Sequence, residues 1–333
     1  MYCRLRNGKS ISSVFKVKHS MIENIAKNLI FFDGITRCGK SIFSSIISSF
    51  EGVEHIQFFS EIEHIIPSVA LGGIKKDYGR IILRLSLNEL AYSIQLSRNV
   101  NFRPKDQTGI YNYKNPDVYY DRLKLDDGDH IVQFIRDHNI SIPFQTHDLM
   151  ANLDIVESMD MDYKIIELYR NPIDNIYSWY TQGWGERFEG DPRSFTLSVE
   201  YNNQIFPWFC VGYESKIVDL NPYEKCVMMG INLIDRCVSQ QKNAKYPKKI
   251  MTILFEDMIQ NPNDQLKRIE SFLGKKKTKY TSNFVMKERC PRVLNYDDRE
   301  KKLQMFKDNI NTELSNSLVL LSESYEKDVY GLL

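Results

Sequence analysis

The feature that most constrains the fold of this chain is an apolar stretch that runs into a glycine turn, "NLIFFDGITRCGKSIFSSII" at residues 28–47. The apolar run within residues 28–33 ends at Asp33 and is typical of a strand buried on both faces of a parallel sheet. Residues 40–50 are predicted to form the next helix. A glycine turn between such a strand and a helix N-terminus points backbone N–H groups at one spot, where an anion can bind. The sequence therefore predicts a phosphate-binding loop in an α/β protein.

The loop also satisfies the letter pattern of a nucleotide-triphosphate P-loop, G-x-x-x-x-G-K-[ST], through Gly34, Gly39, Lys40 and Ser41. The alternative interpretation is a tight turn whose basic side chains are merely solvated. Strand before and helix after the turn favour the phosphate site over this alternative.

A triphosphate site needs, in addition, an aspartate that holds magnesium at the end of another strand. The strand predicted at 163–169 is followed by Arg170, which has the wrong charge for that task. The strand predicted at 249–255 is followed by Glu256 and Asp257, which have the right charge. A P-loop kinase or NTPase that phosphorylates a small molecule or a glycan is therefore the alternative function.

A second motif, "YKIIELYRNPIDNIYSWY" at residues 163–180, is more specific. Its strand delivers Arg170 at the carboxyl end, where ligands of parallel sheets bind. Pro172 is predicted to start a helix, and Ser178 lies eight residues after Arg170. The planar guanidinium group suits a phosphate, and the serine hydroxyl could reach the same phosphate. The alternative is that Arg170 only caps the strand and pairs with Asp174.

These two motifs together resemble those of sulfotransferases that use 3′-phosphoadenosine-5′-phosphosulfate (PAPS). In that family a loop after the first strand holds the 5′-phosphosulfate, and an R-N-P-x-D-x-x-x-S-x-Y segment holds the 3′-phosphate. Residues 170–180 match the second motif completely, and further matching segments lie between residues 28 and 274. The resemblance implies a three-layer α/β/α fold with a central parallel sheet of the P-loop NTPase type. It also implies sulfuryl transfer from PAPS to an acceptor hydroxyl, with adenosine 3′,5′-bisphosphate as the product.

The resemblance assigns donor contacts residue by residue. Arg37 is implied to contact the transferring sulfuryl group, and both Arg37 and Lys40 to stabilise charge during catalysis. Ile42 stands where the family has an aromatic residue that stacks on adenine. The family's C-terminal R-K-G triplet is missing. Residues 275–298 are expected to form a loop over the nucleotide and to supply substitutes for that triplet. No metal is implied, because a sulfuryl group carries less charge than a phosphoryl group. The implied donor-binding residues are Arg37, Cys38, Gly39, Lys40, Ser41, Ile42, Arg170, Ser178, Arg289 and Arg292.

The stretch "IPFQTHDLM" at residues 142–150 resembles the K-T-H-L-P segment of cytosolic sulfotransferases, whose histidine is the catalytic base. The resemblance makes His147 the candidate base. Carbohydrate sulfotransferases that resemble this family often use a carboxylate after the first helix instead, and Glu61 and Glu63 fit that description. Residues 253–274 resemble the segment that closes the family's sheet, which explains the acidic pair after that strand without magnesium.

The acceptor is predicted from aromatic residues that could line a pocket. Trp179, Tyr180, Trp184 and Trp208 are candidates, together with the tyrosines of the polar segment 99–127, which is interpreted as an acceptor-side insertion. Aromatic faces pack on sugar rings and on phenols alike. The long tyrosine-bearing insertion favours a hydroxyl group of a glycan or glycolipid.

Composition limits the remaining possibilities. The net charge is +1 over 333 residues, so no global basic field indicates nucleic acid or an anionic membrane as a partner. The six cysteines are scattered, which is typical of free thiols in a reducing compartment. The basic N-terminus is followed by no long apolar run, so neither a signal peptide nor a membrane anchor is expected, and a cytoplasmic location is predicted.

No linker divides the chain, and residues 1–333 are interpreted as one domain. Other patterns predict strands at 54–59 and 141–146 and helices at 81–98, 129–138, 149–159, 223–242, 263–273 and 299–327.

Overall fold

The computed structural model describes residues 23–332, so the predictions for the basic N-terminus and Cys3 lie outside the described residues. Its strands are β1 Leu29–Asp33, β2 Ile142–Gln145, β3 Tyr163–Tyr169, β4 Ser198–Tyr201, β5 Gln204–Pro207 and β6 Ile250–Leu254. Four of them form a parallel sheet in the order β2-β1-β3-β6. The strands predicted at 28–33, 141–146, 163–169 and 249–255 are therefore confirmed.

Every residue of β1 and β2 is buried, and so is every residue of β3 except Lys164. Because successive strand residues face opposite sides of a sheet, helices must cover both faces. The predicted three-layer α/β/α fold is confirmed. The carboxyl ends of β1, β2 and β3 lie side by side, since Phe32 pairs with Gln145 and Asp33 pairs with Glu167.

The helices take up most of the remaining chain. In the described part of the chain, none of them is both long and apolar enough to cross a membrane. They are α1 Lys40–Ser48, α2 Ser60–Ala70, α3 Lys76–Ile94, α4 Asp117–Arg122, α5 Asp129–Asp137, α6 Leu153–Glu157, α7 Pro172–Thr181, α8 Glu214–Ile217, α9 Pro222–Lys242, α10 Phe255–Gln260, α11 Pro262–Leu273, α12 Thr281–Lys287, α13 Asp297–Asn309 and α14 Thr312–Asp328.

Local sequence signals set several helix ends. Asn171 caps α7 by accepting a hydrogen bond from the backbone N–H of Ile173, and Pro172 is the first helical residue. Asn221 and Glu224 form a capping box at the start of α9. Gly274 ends α11 with a φ of 67°, a conformation that glycine adopts without strain.

The hairpin β4–β5 was not predicted from the sequence. Its turn consists of Asn202 and Asn203, both with positive φ (50° and 60°). Positive φ at both central residues is the signature of the type I′ turn, which favours asparagine and glycine. The asparagine pair between two short stretches of mixed polar and apolar residues, SVEY and QIFP, was therefore the available signal.

The prediction of a regular strand at 54–59 is wrong. This segment makes only isolated parallel bridges to the β2 side, through Val53 and Gln57. The backbone groups of His55 bond to side chains instead, because its N–H donates to the Tyr119 hydroxyl and its carbonyl accepts from Gln57 Nε2. Glu54 and Gln57 still donate backbone hydrogen bonds to the carbonyls of Ser141 and Pro143, so side chains interrupt the ladder only at His55.

Three predictions of helix and loop need correction. The helix predicted at 149–159 is a 3₁₀ turn at Leu149–Asn152 followed by α6. The helix predicted at 299–327 is interrupted at Asn311, whose side chain accepts from the N–H of Leu314 and so starts α14 separately. The loop predicted at 275–298 contains α12.

The segment 99–127 is anchored beside β2 by a buried ion pair. Arg122 donates to both carboxylate oxygens of Glu54, at 2.8 and 2.9 Å. The Tyr119 hydroxyl donates to Glu54 at 2.7 Å. The Lys114 ammonium donates to three backbone carbonyls near the end of α1. The segment is thus a fixed part of the edge of the sheet, with a 3₁₀ turn and α4 of its own.

Candidate active site

The loop between β1 and α1 has a shape that its glycines permit. Gly34 has a φ of 141°, and a Cβ there would lie 2.4 Å from the Leu168 carbonyl oxygen. Gly39 has a φ of 108°, and a Cβ there would lie 2.4 Å from the Phe255 ring. Both positions therefore exclude a side chain for two independent reasons, the positive φ and the lack of space for a Cβ. The loop delivers the chain to the N-terminus of α1, where backbone N–H groups and the helix dipole favour an anion.

Lys40 lies inside this loop, where only 3% of it is exposed. Its ammonium donates to the carbonyl oxygens of Gly34 and Ile35. Burial would lower the pKa of Lys40, but nearby acidic groups, Cys38 and Asp33 foremost, raise it above its ordinary value. The side chain is therefore a buried cation that supports the loop from within.

Arg37, Ser178 and Arg170 meet above the loop. Arg37 Nε donates to the Ser178 hydroxyl at 3.0 Å, and Arg170 Nη1 donates to the Arg37 carbonyl at 3.2 Å. Arg170 Nε is buried and has no hydrogen-bond partner among residues 23–332. The two sequence motifs thus form one basic site, although Arg37 and Ser178 are 141 positions apart.

The same loop is bonded to the body of α7 through one backbone oxygen. The Thr36 carbonyl accepts from Asn175 Nδ2 at 2.9 Å and from Trp179 Nε1 at 2.6 Å. Asn175 and Trp179 are both fully buried. The loop and α7 are therefore fixed relative to each other.

Asp174 does not pair with Arg170, so that alternative interpretation of the arginine is wrong. Asp174 accepts instead from Arg299 at 2.9 Å and from Lys302 at 2.8 Å. The guanidinium group of Arg170 lies 4.6 Å from the centre of the Phe255 ring, a cation–π distance. The arginine is thus held by packing and by the loop rather than by an acidic partner.

Glu256 is one of the two acidic residues that kept a magnesium site under consideration. Its carboxylate accepts from the N–H of Asn171 at 3.1 Å, from the Tyr325 hydroxyl and from Arg299 at 3.5 Å. These contacts connect α10, α7 and the C-terminal helices. They give Glu256 a structural role in the described part of the chain.

His147 follows β2 and lies against Glu63 of α2. Glu63 Oε1 accepts from the backbone N–H of His147 at 2.9 Å, and Glu63 Oε2 lies 3.7 Å from His147 Nδ1. The Phe58 ring is stacked on the imidazole with an interplanar angle of 10°. His147 and Glu63, two of the three candidate bases that the sequence offered, are therefore neighbours.

A cavity of about 620 Å³ opens beside His147. Glu63 lines it, whereas Glu61 is not among its lining residues. Burial raises the pKa of Asp148, which also lines it, to about 7. No lysine or arginine occurs among the described residues of the wall. The lining residues are Thr36, Phe58, Phe59, Ser60, Glu63, His64, His147, Asp148, Trp184, Ser194, Phe195, Thr196, Leu197, Trp208 and Phe209.

Only some of the aromatic residues predicted to line an acceptor pocket line this cavity. Trp184 and Trp208 line the cavity, but Trp179 is fully buried behind it and Tyr180 stacks on Tyr223 at 4.0 Å. Residues 99–127 contribute nothing to the described wall of this cavity. Tyr113 and Tyr119 pack at the edge of the sheet, whereas Tyr111 and Tyr120 are exposed. A role of this segment in acceptor binding stays a prediction.

Other predicted donor-binding residues have different surroundings. Burial raises the pKa of the Cys38 thiol to about 11, and its sulfur accepts from Lys40 at 3.7 Å, so this side chain points away from the loop's outer face. Ser41 is exposed at the start of α1 and Ile42 is half-buried. Arg289 and Arg292 are exposed, and the structure gives them no side-chain hydrogen bond to the loop or to Arg170.

Several residues of the site were not predicted. Phe58, Phe195 and Phe209 line the cavity, and Asn175 holds the loop. The aromatic residues carried no distinguishing signal, because phenylalanine is common throughout this chain. Asp33 did carry one, since a charged residue ended an otherwise apolar strand.

Comparison with known proteins agrees with this geometry. A family model described as "Sulfotransferase domain" matches residues 30–309, which is more than half of the chain. A comparison with curated proteins found no match. In the described part of the chain, no group of three or more His, Cys, Asp and Glu residues could hold a metal ion.

Solved structures of similar proteins include the sulfotransferase domain of the olefin synthase of Synechococcus PCC 7002, with 14% identity, a TM-score of 0.44, and coverage of 91% of this chain and 96% of that one. A sulfotransferase from Alicyclobacillus acidocaldarius has 16% identity, a TM-score of 0.40, and coverage of 92% and 99%. The sulfotransferase domain from the curacin biosynthetic pathway has 10% identity, a TM-score of 0.41, and coverage of 77% and 76%. These likenesses are too distant to support an argument by themselves.

Proposed function

Since the chain belongs to the sulfotransferase family and is therefore an enzyme of sulfuryl transfer, we propose that its donor is PAPS and its acceptor a hydroxyl group of a glycan or glycolipid. The observation that carries the donor proposal is the meeting of Arg37, Arg170 and Ser178 above the glycine loop. PAPS carries anionic groups on both its 5′ and 3′ sides, and it would supply the sulfuryl group and leave as adenosine 3′,5′-bisphosphate.

The residues present fit such a donor. Arg170 offers a buried Nε without a partner among the described residues, and a charged donor of this kind suits a phosphate. Ser178 and the N-terminus of α1 add a hydroxyl group and backbone N–H groups. We assign Arg170 and Ser178 to the 3′-phosphate, and the loop from Arg37 to Ser41 to the 5′ side.

Lys40 is assigned a supporting role rather than a first contact with the donor. Its ammonium lies among the carbonyls of Gly34 and Ile35, beneath the loop. A fixed positive charge there would still stabilise negative charge that develops on the far side of the loop. Arg37, which is exposed, is better placed to touch the moving group.

The acceptor hydroxyl must lose its proton, and we assign His147 as the general base that accepts it. Glu63 faces His147 Nδ1 at 3.7 Å, which favours the tautomer with the hydrogen on Nδ1 and leaves Nε2 free to accept. Glu63 also holds the backbone of His147. Histidine and glutamate then act together, the first as base and the second as its orienting partner.

The cavity beside His147 supports a neutral acceptor with a broad apolar face. Phe58, Trp184 and Trp208 offer aromatic faces on which a sugar ring can pack. Glu63 and Asp148 are the acidic residues of the described wall, which contains neither lysine nor arginine. Like charges brought together at a binding site cost several kcal/mol, so an anionic acceptor should be rejected.

We expect octyl glucoside to be sulfated with a kcat/KM at least about 10-fold above that of octyl glucuronide, in line with this charge penalty. The two compounds share the ring and the alkyl chain and differ at C6, where a carboxylate in the glucuronide replaces the hydroxymethyl group of the glucoside. Initial rates of sulfate transfer from radiolabelled PAPS measure the ratio. Equal rates, or transfer to octanol without transfer to any neutral glycoside, would contradict the acceptor proposal.

The donor proposal predicts that adenosine 3′,5′-bisphosphate stabilises the protein without any metal. At 100 times its Kd the gain is about 2.7 kcal/mol. In Arg170→Ala, loss of a charge-assisted contact should weaken binding by about 1.5–3 kcal/mol, so the same ligand concentration gives a much smaller shift. Thermal unfolding measured with and without ligand tests both expectations.

Arg98→Ala is the matched control for this experiment, because Arg98 is exposed and pairs with Asp127. The Arg98→Ala variant should show the same ligand-induced rise in unfolding temperature as the wild type. ATP with magnesium should stabilise less, since ATP lacks the 3′-phosphate. A strong shift with magnesium-ATP and none with the bisphosphate would remove the PAPS assignment and restore the kinase alternative, which family membership and the contacts of Glu256 now disfavour.

We also propose that the protein acts in the cytoplasm, as one domain and without a nucleic-acid partner. Five cysteines in the described part of the chain are free thiols, and all five are buried. Free thiols in a chain of this length are typical of a reducing compartment. The near-zero net charge supports the absence of a nucleic-acid partner.

A further inference from the structure

Asp33 is the last residue of β1 and directly precedes Gly34 of the loop. It is fully buried. Its Oδ1 accepts from the Thr146 hydroxyl at 2.8 Å, and its Oδ2 accepts from the backbone N–H of Met150 at 2.8 Å. Each carboxylate oxygen therefore holds one side of the turn that carries His147.

Further contacts hold the same turn. The Thr146 N–H donates to the Phe32 carbonyl at 3.1 Å, the His147 N–H donates to Glu63, and the Phe58 ring stacks on the imidazole. Asp148 has a φ of 59°, in the left-handed region that non-glycine residues seldom adopt. Contacts to β1, to α2 and to Phe58 therefore determine where the imidazole lies.

We propose that Asp33 is a positioning residue of the transfer reaction, which sets His147 relative to the loop assigned to the donor. This inference rests on the proposed function. The backbone of Asp33 leads directly into that loop, and its carboxylate holds the turn that carries His147. One residue is therefore connected both to the loop assigned to the donor and to the proposed base. A displacement of about 1 Å in such an arrangement can cost on the order of 100-fold in rate.

A second role of Asp33 must be separated from this one. Its negative charge is among the causes that raise the pKa of Lys40 beneath the loop. Asp33→Asn separates the two roles, because it removes the charge and keeps the shape. Its carbonyl oxygen can still accept from the N–H of Met150, and its amide can donate to the Thr146 oxygen.

The experiment measures kcat, the acceptor KM and the bisphosphate Kd for Asp33→Ala, Asp33→Asn, Thr146→Val and His147→Ala. Asp33→Ala should lower kcat by about 10- to 100-fold with little change in KM or Kd. Asp33→Asn should recover most of the lost rate. Thr146→Val removes one of the two bonds and should give an intermediate kcat. The double variant Asp33→Ala/His147→Ala should be no slower than His147→Ala alone, because Asp33 acts through the histidine.

Additive losses in the double variant would overturn the proposal. So would an Asp33→Asn variant as slow as Asp33→Ala, which would indicate that the charge beside Lys40 is what matters. Where Asp33→Ala fails to fold, a wild-type kcat in Thr146→Val overturns it. Failure of the proposed function looks different, since the wild-type protein would then gain no stability from the bisphosphate.

Discussion

Replacing His147 by alanine is expected to lower kcat by about 100-fold or more, which is the usual loss when a general base is removed. The Kd of adenosine 3′,5′-bisphosphate should stay nearly unchanged, because His147 lines the cavity proposed for the acceptor and makes no hydrogen bond to Arg37, Arg170 or Ser178 in the structure. Steady-state rates with saturating PAPS, together with calorimetric titration of the bisphosphate, separate the two quantities.

The chain offers matched controls for this prediction on helix α2. Glu61→Gln should leave kcat near that of the wild type, because Glu61 does not line the cavity. Glu63→Gln should give a smaller loss than His147→Ala, since the amide can still accept from the His147 N–H. Near-normal turnover in His147→Ala, with collapse in Glu63→Ala or Glu61→Ala, would transfer the role of base to a carboxylate.

Replacing Arg122 by alanine is expected to destabilise the fold by about 3–5 kcal/mol, because it leaves the buried Glu54 carboxylate without its charge partner. Glu54 is 4% exposed and accepts two hydrogen bonds from this guanidinium group. Lys124→Ala is the control, since it breaks only the exposed Lys124–Asp121 pair and should leave the unfolding midpoint unchanged. Urea unfolding followed by circular dichroism measures both variants.

The pH dependence of this effect has a definite sign. Burial would raise the pKa of Glu54, but the hydrogen bonds and charge of Arg122 lower it below its ordinary value of 4.5. The ion pair therefore stabilises the wild-type protein fully above that pH and loses its contribution as the pH falls below it. In Arg122→Ala, Arg122 no longer opposes the effect of burial, so the Glu54 pKa lies above its wild-type value. The difference in unfolding free energy between wild type and Arg122→Ala should therefore narrow as the pH falls through the pKa of the variant and then through that of the wild type. A difference that stays constant or widens on acidification would contradict the assignment of the destabilisation to this pair.

The sequence predicted those parts of the site that lie within one local motif. Arg170, Pro172 and Ser178 follow one another along a strand end and a helix, so their spacing alone places them on one side. The glycine loop was predictable for the same reason. Local patterns of this kind are preserved when the chain folds.

Other parts depend on residues that only the fold brings together. Glu63 and His147 are 84 positions apart, and the sequence could offer them only as rival bases, whereas in the structure they are partners. The inward direction of Lys40 depends on loop carbonyls and on acidic groups of β1 and β3, which the letter pattern of the loop does not reveal. The cavity wall combines residues after β2, from α2 and from the region around the β4–β5 hairpin, which was itself missed.

Under the proposed function, the single backbone oxygen of Thr36 has a consequence for nucleotide selection. Because it accepts from both Asn175 and Trp179, folding itself determines the separation between the glycine loop and the arginine end of α7. The distance between the two ends of the site is thus set before any ligand binds. A nucleotide whose two anionic groups match that spacing engages both ends without ordering any segment, so it loses no affinity to that cost. A nucleotide with one anionic end, or with a longer phosphate chain on one side, gains binding energy at one end of the site only. The fixed separation between the glycine loop and Arg170 does not shorten to bring the second end into contact.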